Sequence, residues 1–441
     1  MVSLRSAPIW LLVWLSACLC SKCLAAPLYT EGAALVQLGD KDKEEEGRST
    51  SRIEDLATVR VLPSSINYQA LPESELNAFS DYLVQLVSDL QIPGAAIAVV
   101  QGQDTAIEKT LGRRKVTEPE EIDAETLFNI GPATGAFSSL LAATLNDEVG
   151  FSYEKLARRI WPRFRMSSAT SADDVTVGDL FTMTAGVPSY IDDILDPAWA
   201  RPEDVFEAIA QAPVIAPPGR VYERSKLSLA AAGYLTGLAA MREEEIYNAF
   251  TQSVQERLMD PIGMSGATFS REAAAASGNL AEPHSRKGPG FDPAKRWEPR
   301  INAMAPALGL KAGLNDMKRW LITELQLGAT PDGQRIASEQ SVKLRWQPAL
   351  VGSSESFGMG WTRRYYQGIE IVASMGSYDR QSAAIGLLPA YRTGFIVLVN
   401  TGGEEASKLM QEVAFGLAEM FAAMEKQEQT LQVPDSEETA N

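Results

Sequence analysis

The sequence predicts an α/β (α+β) protein in which strands from both ends of the chain form one sheet around a helical insertion. A run of small and β-branched residues, 95–100, has the composition of a buried strand. Alanine-rich segments with helical spacing occupy much of 140–275. From Phe357 onward the pattern changes to short strands separated by turns. Strands at both ends with helices between them indicate a sheet that is discontinuous in sequence.

The first predicted elements are a hairpin and a helix. Pro93-Gly94 precedes the 95–100 strand and Gly102 follows it, which predicts a turn into a second strand. Five apolar residues then recur at helical spacing ahead of Gly150, a residue suited to end a helix. These five are Phe137, Leu140, Leu141, Leu145 and Val149. The last predicted elements are strands at 368–373 and 395–400 and a helix at 405–424.

The predicted boundaries give a signal segment, an acidic disordered linker, one domain with a sheet part and a helical part, and an acidic disordered tail. The linker and the tail are predicted to be disordered because they are acidic and have little apolar periodicity. In order, these parts are 1–25, 26–70, 71–425 (sheet part about 71–135 and 300–425, helical part about 136–299) and 426–441.

The N-terminal segment has the features of an export signal. Arg5 precedes an apolar run, 7–19, that is short for a membrane span. Two interpretations stay open. Small residues at Ala25 and Ala26 permit cleavage by an ordinary signal peptidase. Leu15-Ser16-Ala17-Cys18 instead resembles a bacterial lipobox, which would leave a lipid on Cys18. Either way we expect a periplasmic or secreted protein, with membrane contact only through that lipid.

Composition excludes several functional classes. A net charge of −17 over 441 residues disfavours nucleic acid as a partner. All three cysteines lie before residue 24, which excludes a thiol nucleophile or a cysteine metal site in the domain. His284 is the only histidine, so a multi-histidine metal site is excluded as well. It lies in a Pro- and Gly-rich stretch and is expected on a surface loop. We predict no metal and no cofactor.

Eight short motifs follow one another along the predicted domain. They are Ile92-Pro93-Gly94-Ala95-Ala96, Phe128-Asn129-Ile130-Gly131, the stretch from Val175 to Pro188, Pro217-Pro218-Gly219, Pro261-Ile262-Gly263-Met264, Leu308-Gly309-Leu310, Phe357-Gly358-Met359-Gly360-Trp361 and Val397-Leu398-Val399-Asn400. In this order they resemble the β-lactamase-related serine hydrolases, which include class C β-lactamases, penicillin-binding D-Ala-D-Ala peptidases and many esterases. The resemblance implies an antiparallel sheet flanked by helices, with a helical insertion domain.

The resemblance also implies a nucleophilic serine and, one helical turn later, a lysine, in a Ser-x-x-Lys motif at a helix N-terminus. After Gly131, the serine position holds Pro132 and the lysine position holds Gly135. Proline has no hydroxyl and glycine has no base.

A displaced nucleophile is the alternative. Ser138 and Ser139 follow a few residues later, but neither has a lysine three residues further on. Thr134 has a hydroxyl without a local base.

The two other motifs of the family are altered in the same way. Arg224-Ser225-Lys226 stands where the family has Tyr-Ser-Asn, and arginine cannot shuttle protons at neutral pH. Ser374-Met375-Gly376 stands where a lysine or histidine normally leads a strand motif. We therefore predict degenerate catalytic positions at Pro132, Gly135, Arg224 and Ser374, and no catalytic residues of the family type.

The altered cleft still suits an anion. Arg224 and Lys226 would bring two cations opposite the N-terminus of the helix after Gly131. We expect a small carboxylate or a peptide as ligand, or a protein partner. The predicted ligand-binding residues are Gly131, Thr134, Arg224, Lys226, Ser374 and Gly376. Three functional classes stay open: an inactive binding protein, a hydrolase with a non-standard nucleophile, and a structural scaffold.

Overall fold

The structure is a computed structural model, and it describes residues 70–148, 150–190, 200–241, 245–294, 303–350 and 356–432. These residues belong to one compact unit, Gln69–Asn441. The predicted signal segment, Cys18 and nearly all of the predicted linker lie outside the described residues.

The described residues contain one large antiparallel sheet and two small ones. The strands are β1 (Gly94–Gln101), β2 (Asp104–Gly112), β3 (Phe128–Asn129), β4 (His284–Lys287), β5 (Gly290–Pro293), β6 (Lys311–Ala312), β7 (Ser356–Phe357), β8 (Thr362–Tyr366), β9 (Ile369–Tyr378), β10 (Gln381–Leu388) and β11 (Thr393–Val399). The large sheet has the order β2-β1-β11-β10-β9-β8-β7, while β3 pairs with β6 and β4 with β5.

Helices fill the sequence between the two groups of strands and lie at both ends. They are α1 (Glu73–Asp89), α2 (Thr134–Asn146), α3 (Ala157–Ile160), α4 (Ala169–Asp174), α5 (Val177–Phe181), α6 (Pro202–Gln211), α7 (Lys226–Ala240), α8 (Ile246–Val254), α9 (Asp260–Ile262), α10 (Arg271–Ala276), α11 (Ala305–Leu308), α12 (Leu314–Leu325), α13 (Glu339–Trp346) and α14 (Glu404–Gln432). Each described helix is too short or too polar to cross a bilayer.

The predicted mixed fold, with an antiparallel sheet flanked by helices, is confirmed. Strand β1 is buried along its whole length because it lies inside the sheet with helices on both faces. Its side chains at 95, 97 and 99 pack into the apolar layer with α1 and α14. Those at 96, 98 and 100 pack into the layer with α2, α7 and α12. A strand covered on both faces is apolar at every position, which explains the unbroken run in the sequence.

Two helix boundaries differ from the sequence prediction. Helix α2 ends at Asn146, so Gly150 does not cap it. Asp147 follows, and its carboxylate accepts hydrogen bonds from Ser338 at the start of α13. Helix α14 continues to Gln432, past the predicted boundary at 425, because residues such as Glu, Lys and Gln favour helix without requiring burial.

Candidate functional site

Three segments meet at the first turn of α2. A 3-10 turn, Gly131–Ala133, leads into the helix, and β9 passes beside it. A Cβ placed on Gly376 of β9 would lie 2.8 Å from Cγ of Pro132, so the proline ring packs directly on the strand. Gly131 has φ +52°, and a Cβ on it would lie 3.2 Å from Cβ of Tyr378. Pro132, the residue at the predicted nucleophile position, therefore packs as a non-polar ring on the strand.

Two backbone N–H groups at this turn donate to side chains within the fold. The side chain of Asn129 accepts a hydrogen bond from Gly131 N at 3.0 Å, and Gln381 accepts one from Asn129 N at 2.9 Å. Proline suits the first helical position because its φ is fixed and that position needs no N–H donor. The fully buried Thr134 accepts a hydrogen bond from Leu310 N at 3.3 Å, so its hydroxyl is used inside the protein.

Helix α7 closes the second side of the site. Ser225 is its N-cap and accepts a hydrogen bond from Ser228 N at 3.3 Å. One turn into the helix, the buried Leu229 reaches α2: a Cβ placed on Gly135 would lie 3.0 Å from its Cδ1. A lysine at 135 would therefore start in space that Leu229 occupies.

The predicted cations lie at the start of the same helix. Arg224 is exposed and Lys226, the first residue of α7, is half-buried. The neighbouring Glu223 accepts hydrogen bonds from the backbone N–H of Ser189, at 3.1 Å, and from its hydroxyl. This wall of the site therefore carries a carboxylate as well as two cations. Because Leu229 touches Gly135, the start of α7 lies next to the first turn of α2.

The third predicted motif lies on β9, as its sequence pattern required. Ser374 is nearly buried and pairs across the sheet with Ile385. Gly376 pairs with Ala383 and carries the contact with Pro132. Of the predicted ligand-binding residues, Gly131 and Gly376 thus lie beside the Pro132 ring, and α7 contacts the same helix turn through Leu229 at Gly135.

The alternative nucleophiles are fully buried. Ser138 donates a hydrogen bond to the carbonyl oxygen of Pro306 at 2.6 Å. Ser139 donates one to Ala136 O at 2.9 Å and accepts one from the Arg345 guanidinium at 3.1 Å. Both hydroxyls stabilise the packing of α2.

An ion pair under α2 is a feature that the sequence reasoning missed. Arg345 and Glu324 pair with no exposed side-chain surface on either residue. Arg345 also donates to Ala136 O at 3.1 Å, in the first turn of α2. Burial raises the pKa of the Glu324 carboxyl, and the Arg345 charge acts against that rise. The ion pair between α12 and α13 therefore holds the first turn of α2 through Arg345. Arg345 and Glu324 lie on different helices, so no local sequence pattern predicts that they pair.

Lys311 is a second buried cation near the turn. It lies in β6 opposite Asn129, and burial lowers the pKa of its amine to about 8. Its Nζ donates to the carbonyl oxygens of Phe269 at 3.0 Å and Gly309 at 2.8 Å. The amine is thus held by backbone carbonyls.

The expectation for His284 is wrong. The residue is fully buried in β4, where Nε2 accepts a hydrogen bond from Val116 N at 3.2 Å and Nδ1 lies 3.2 Å from Asn400 O. Burial, with a smaller contribution from the charge of Lys115, lowers the pKa of the imidazole. Among the described residues, no group of three or more His, Cys, Asp or Glu side chains is placed to hold a metal ion.

Comparison with known proteins identifies the class and the family. A penicillin-binding protein homologue from Pyrococcus abyssi, solved as an octamer, superposes with a TM-score of 0.64 at 20% identity, over 78% of this chain and 77% of that one. The fold is thus that of the penicillin-binding proteins and serine β-lactamases. The family model described as Beta-lactamase matches residues 79–416. The chain belongs to the Beta-lactamase family of serine hydrolases.

Relatives in sequence are distant. An Aspergillus campestris protein named as an unguisins hydrolase is 25% identical over 340 residues, 73% of this chain and 61% of the relative. Protein flp of Staphylococcus aureus strain MW2 is 24% identical over 334 residues, 74% of this chain and 64% of the relative. The match spans less than two thirds of these relatives, so their activities are not carried over.

Proposed function

We propose that this chain is a non-hydrolytic member of its family that binds a carboxylate-bearing small molecule or a peptide. The observation that carries the proposal is the packing at the two positions of the Ser-x-x-Lys motif. The Pro132 ring rests on Gly376 of β9, and the space beside Gly135 holds Leu229. Hydroxyl and amine are both missing, and neighbouring groups occupy their places.

The size of the expected loss supports an inactive protein rather than an impaired one. Removing the nucleophile of a serine hydrolase lowers kcat about a million-fold, and removing its partners adds little because they act as a unit. Ser138, Ser139 and Thr134 are fully buried and bonded to the protein interior, so they do not supply a replacement.

The ligand class is inferred from the charges at the start of α7. Arg224 and Lys226 flank the N-cap of α7, and Leu229, in the first turn of that helix, contacts Gly135 in the first turn of α2. Cations and helix N-termini both favour a carboxylate. The structural relative is described as a homologue of penicillin-binding proteins, and penicillin bears a carboxylate. Glu223 lies on the same wall and would favour ligands that also bring an amine or amide donor.

Intact-mass measurement tests the loss of catalysis. We would incubate the purified protein with a fluorescent penicillin and, separately, with a fluorophosphonate, and assay a chromogenic cephalosporin and a nitrophenyl ester. The expected result is no added mass and no hydrolysis, with an active serine hydrolase as positive control. A stoichiometric adduct contradicts the proposal, and peptide mapping would then identify a non-standard nucleophile.

Ligand binding has its own test. The probes are an N-acetylated D-Ala-D-Ala dipeptide and the same dipeptide with its carboxylate amidated, measured by calorimetry. We expect binding of the free carboxylate only, weakened about tenfold or more by Arg224→Ala or Lys226→Ala. Arg220→Ala, an exposed arginine in the same loop, is the matched control and should have no effect. Equal affinities for both peptides would contradict a carboxylate-binding cleft, and binding of neither peptide would favour a structural scaffold.

We also propose that the protein is exported, on the strength of Arg5 and the apolar run that follows it. N-terminal sequencing of the secreted or membrane-bound protein would give a start near residue 26 or a lipidated Cys18. Cys18→Ala separates the two outcomes, because only the second loses its membrane fraction. An uncleaved N-terminus in the cytoplasm contradicts the proposal.

A further inference from the structure

One short segment has the opposite charge to the rest of the protein. Residues 155–165 carry five cations and no carboxylate, in a chain with a net charge of −17. The cations are Lys155, Arg158, Arg159, Arg163 and Arg165. We refer to 155–165 as the basic turn.

The backbone gathers these side chains onto one chain reversal. Helix α3 covers Ala157–Ile160, and the chain then reverses: Phe164 N donates to Trp161 O at 2.9 Å. Arg158 Nε donates to Phe164 O at 3.3 Å, which ties the helix to the returning segment. Cations from both arms of the reversal are therefore held in one place.

Aromatic side chains of the basic turn pack against α6. The Trp161 and Phe206 ring centroids are 4.3 Å apart, and the Phe164 ring meets Phe206 edge-on at 6.3 Å. Phe164 is fully buried. The turn is thus anchored on α6 and does not depend on its charges for its shape.

Three of the arginines have no carboxylate partner among the described residues. Arg158 pairs with Asp173, and Lys155 donates to Gly150 O. Arg159, Arg163 and Arg165 are exposed, and Arg165 donates only to backbone carbonyls, those of Pro162 at 2.8 Å and Phe164 at 2.9 Å. These three keep their charge available to an external anion.

We infer that the basic turn docks the protein onto an anionic lipid surface. The exposed Pro162 lies among the cations, while the half-buried Ile160 and Trp161 pack against the core beneath them. Clustered exposed arginines suit the headgroup region of an anionic membrane. A polyanion such as nucleic acid needs a track of cations over several elements, whereas these are confined to one turn.

Vesicle co-sedimentation tests the inference on the full chain carrying Cys18→Ala, which removes any lipid anchor. The vesicles are phosphatidylcholine alone or an equal mixture with phosphatidylglycerol. We expect binding to the anionic vesicles that disappears near 0.5 M salt, where screening extends to about 4 Å. The variant Arg159→Glu with Arg163→Glu and Arg165→Glu should bind at least tenfold more weakly, since one cation near an anionic leaflet changes partitioning roughly fivefold.

The matched control variant changes the net charge by the same amount as the test variant, at positions outside the basic turn. Arg220→Glu, Lys343→Glu and Lys408→Glu are three exposed cations on other elements, and this variant should bind like the parent. An equal loss in the control would show that net charge alone matters and would overturn the inference. So would absence of parent binding, or capture by heparin but not by vesicles. Arg→Gln versions of the test variant, with unchanged Tm, guard against misfolding.

Discussion

Helix α2 makes different kinds of contact on its two sides. One side faces the candidate site and the other faces the interior. Toward the site, the contacts are apolar: Pro132 on Gly376, and Leu229 against Gly135. Toward the interior, they include a polar cluster with Arg345 at its centre, which bonds to Ala136 O, Ser139 and Glu324.

This difference separates what catalysis needs from what the fold needs. Polar groups that serve a reaction can be replaced by well-packed apolar groups without harm to folding. The buried ion pair that contacts α2 behaves differently. Removing one partner leaves the other charge buried without a counter-charge, which is strongly destabilising. The comparison predicts that substitutions on the interior side of α2 lower the free energy of unfolding strongly, whereas substitutions on the side of the candidate site have smaller effects.

The largest effect is expected from breaking the buried pair. Arg345→Ala leaves the Glu324 carboxylate without its partner and should lower the free energy of unfolding by about 3–5 kcal/mol. Urea unfolding followed by circular dichroism measures it. Lys343→Ala, which removes an exposed partner of Glu339, is the control and should cost less than about 1 kcal/mol. Similar losses in the two variants would contradict the assigned role of the pair.

A smaller effect is expected where the proline ring meets the strand. Gly376→Ala places a methyl group 2.8 Å from Pro132 Cγ and should cost about 1–3 kcal/mol by overpacking. Pro132→Ala in the same chain should recover most of this loss, which gives a double-mutant cycle with a measurable coupling. Gly290→Ala, in a strand where nothing lies near the added Cβ, is the matched control. Additive losses would mean that ring and strand do not touch in solution.

The smallest expected effect is a pH dependence from His284, which belongs to neither side of α2. Its pKa is lowered in the folded protein, so the unfolded chain binds a proton more readily and stability falls as the pH drops below about 6.5. Between about pH 7 and pH 5 the parent should lose more stability than His284→Gln, as followed by urea unfolding at each pH. Asp123 and Asp147, whose pKa values are lowered, lose their contributions only at more acidic pH. Parallel pH profiles of parent and variant would contradict a buried neutral imidazole.

The sequence predicted the framework well because its signals are local. The apolar run of β1 and the hairpin after it are read from adjacent residues and the turn chemistry they require. Pro132, Gly135 and Gly376 were named from the family resemblance, by their positions in its motifs. The family resemblance then supplied the layout of the sheet.

What the sequence could not supply is contact between distant residues. Leu229 fills the space beside Gly135 from another helix, and Arg345 meets Glu324 across two helices. His284 was misjudged because Pro and Gly around it suggested a loop, whereas tertiary pairing with Asn400 buries it. All three features depend on tertiary packing between residues that are distant in sequence.

The pairing of β1 with β11 has a consequence for synthesis and transport. Ala95 of β1 pairs with Val399 of β11, so β1 cannot form this pairing until β11 has been synthesised. A contact between residues so far apart in sequence is slow to form and impossible until most of the chain has left the ribosome. The large sheet is therefore completed only after most of the chain has been made, which suits the export that we propose.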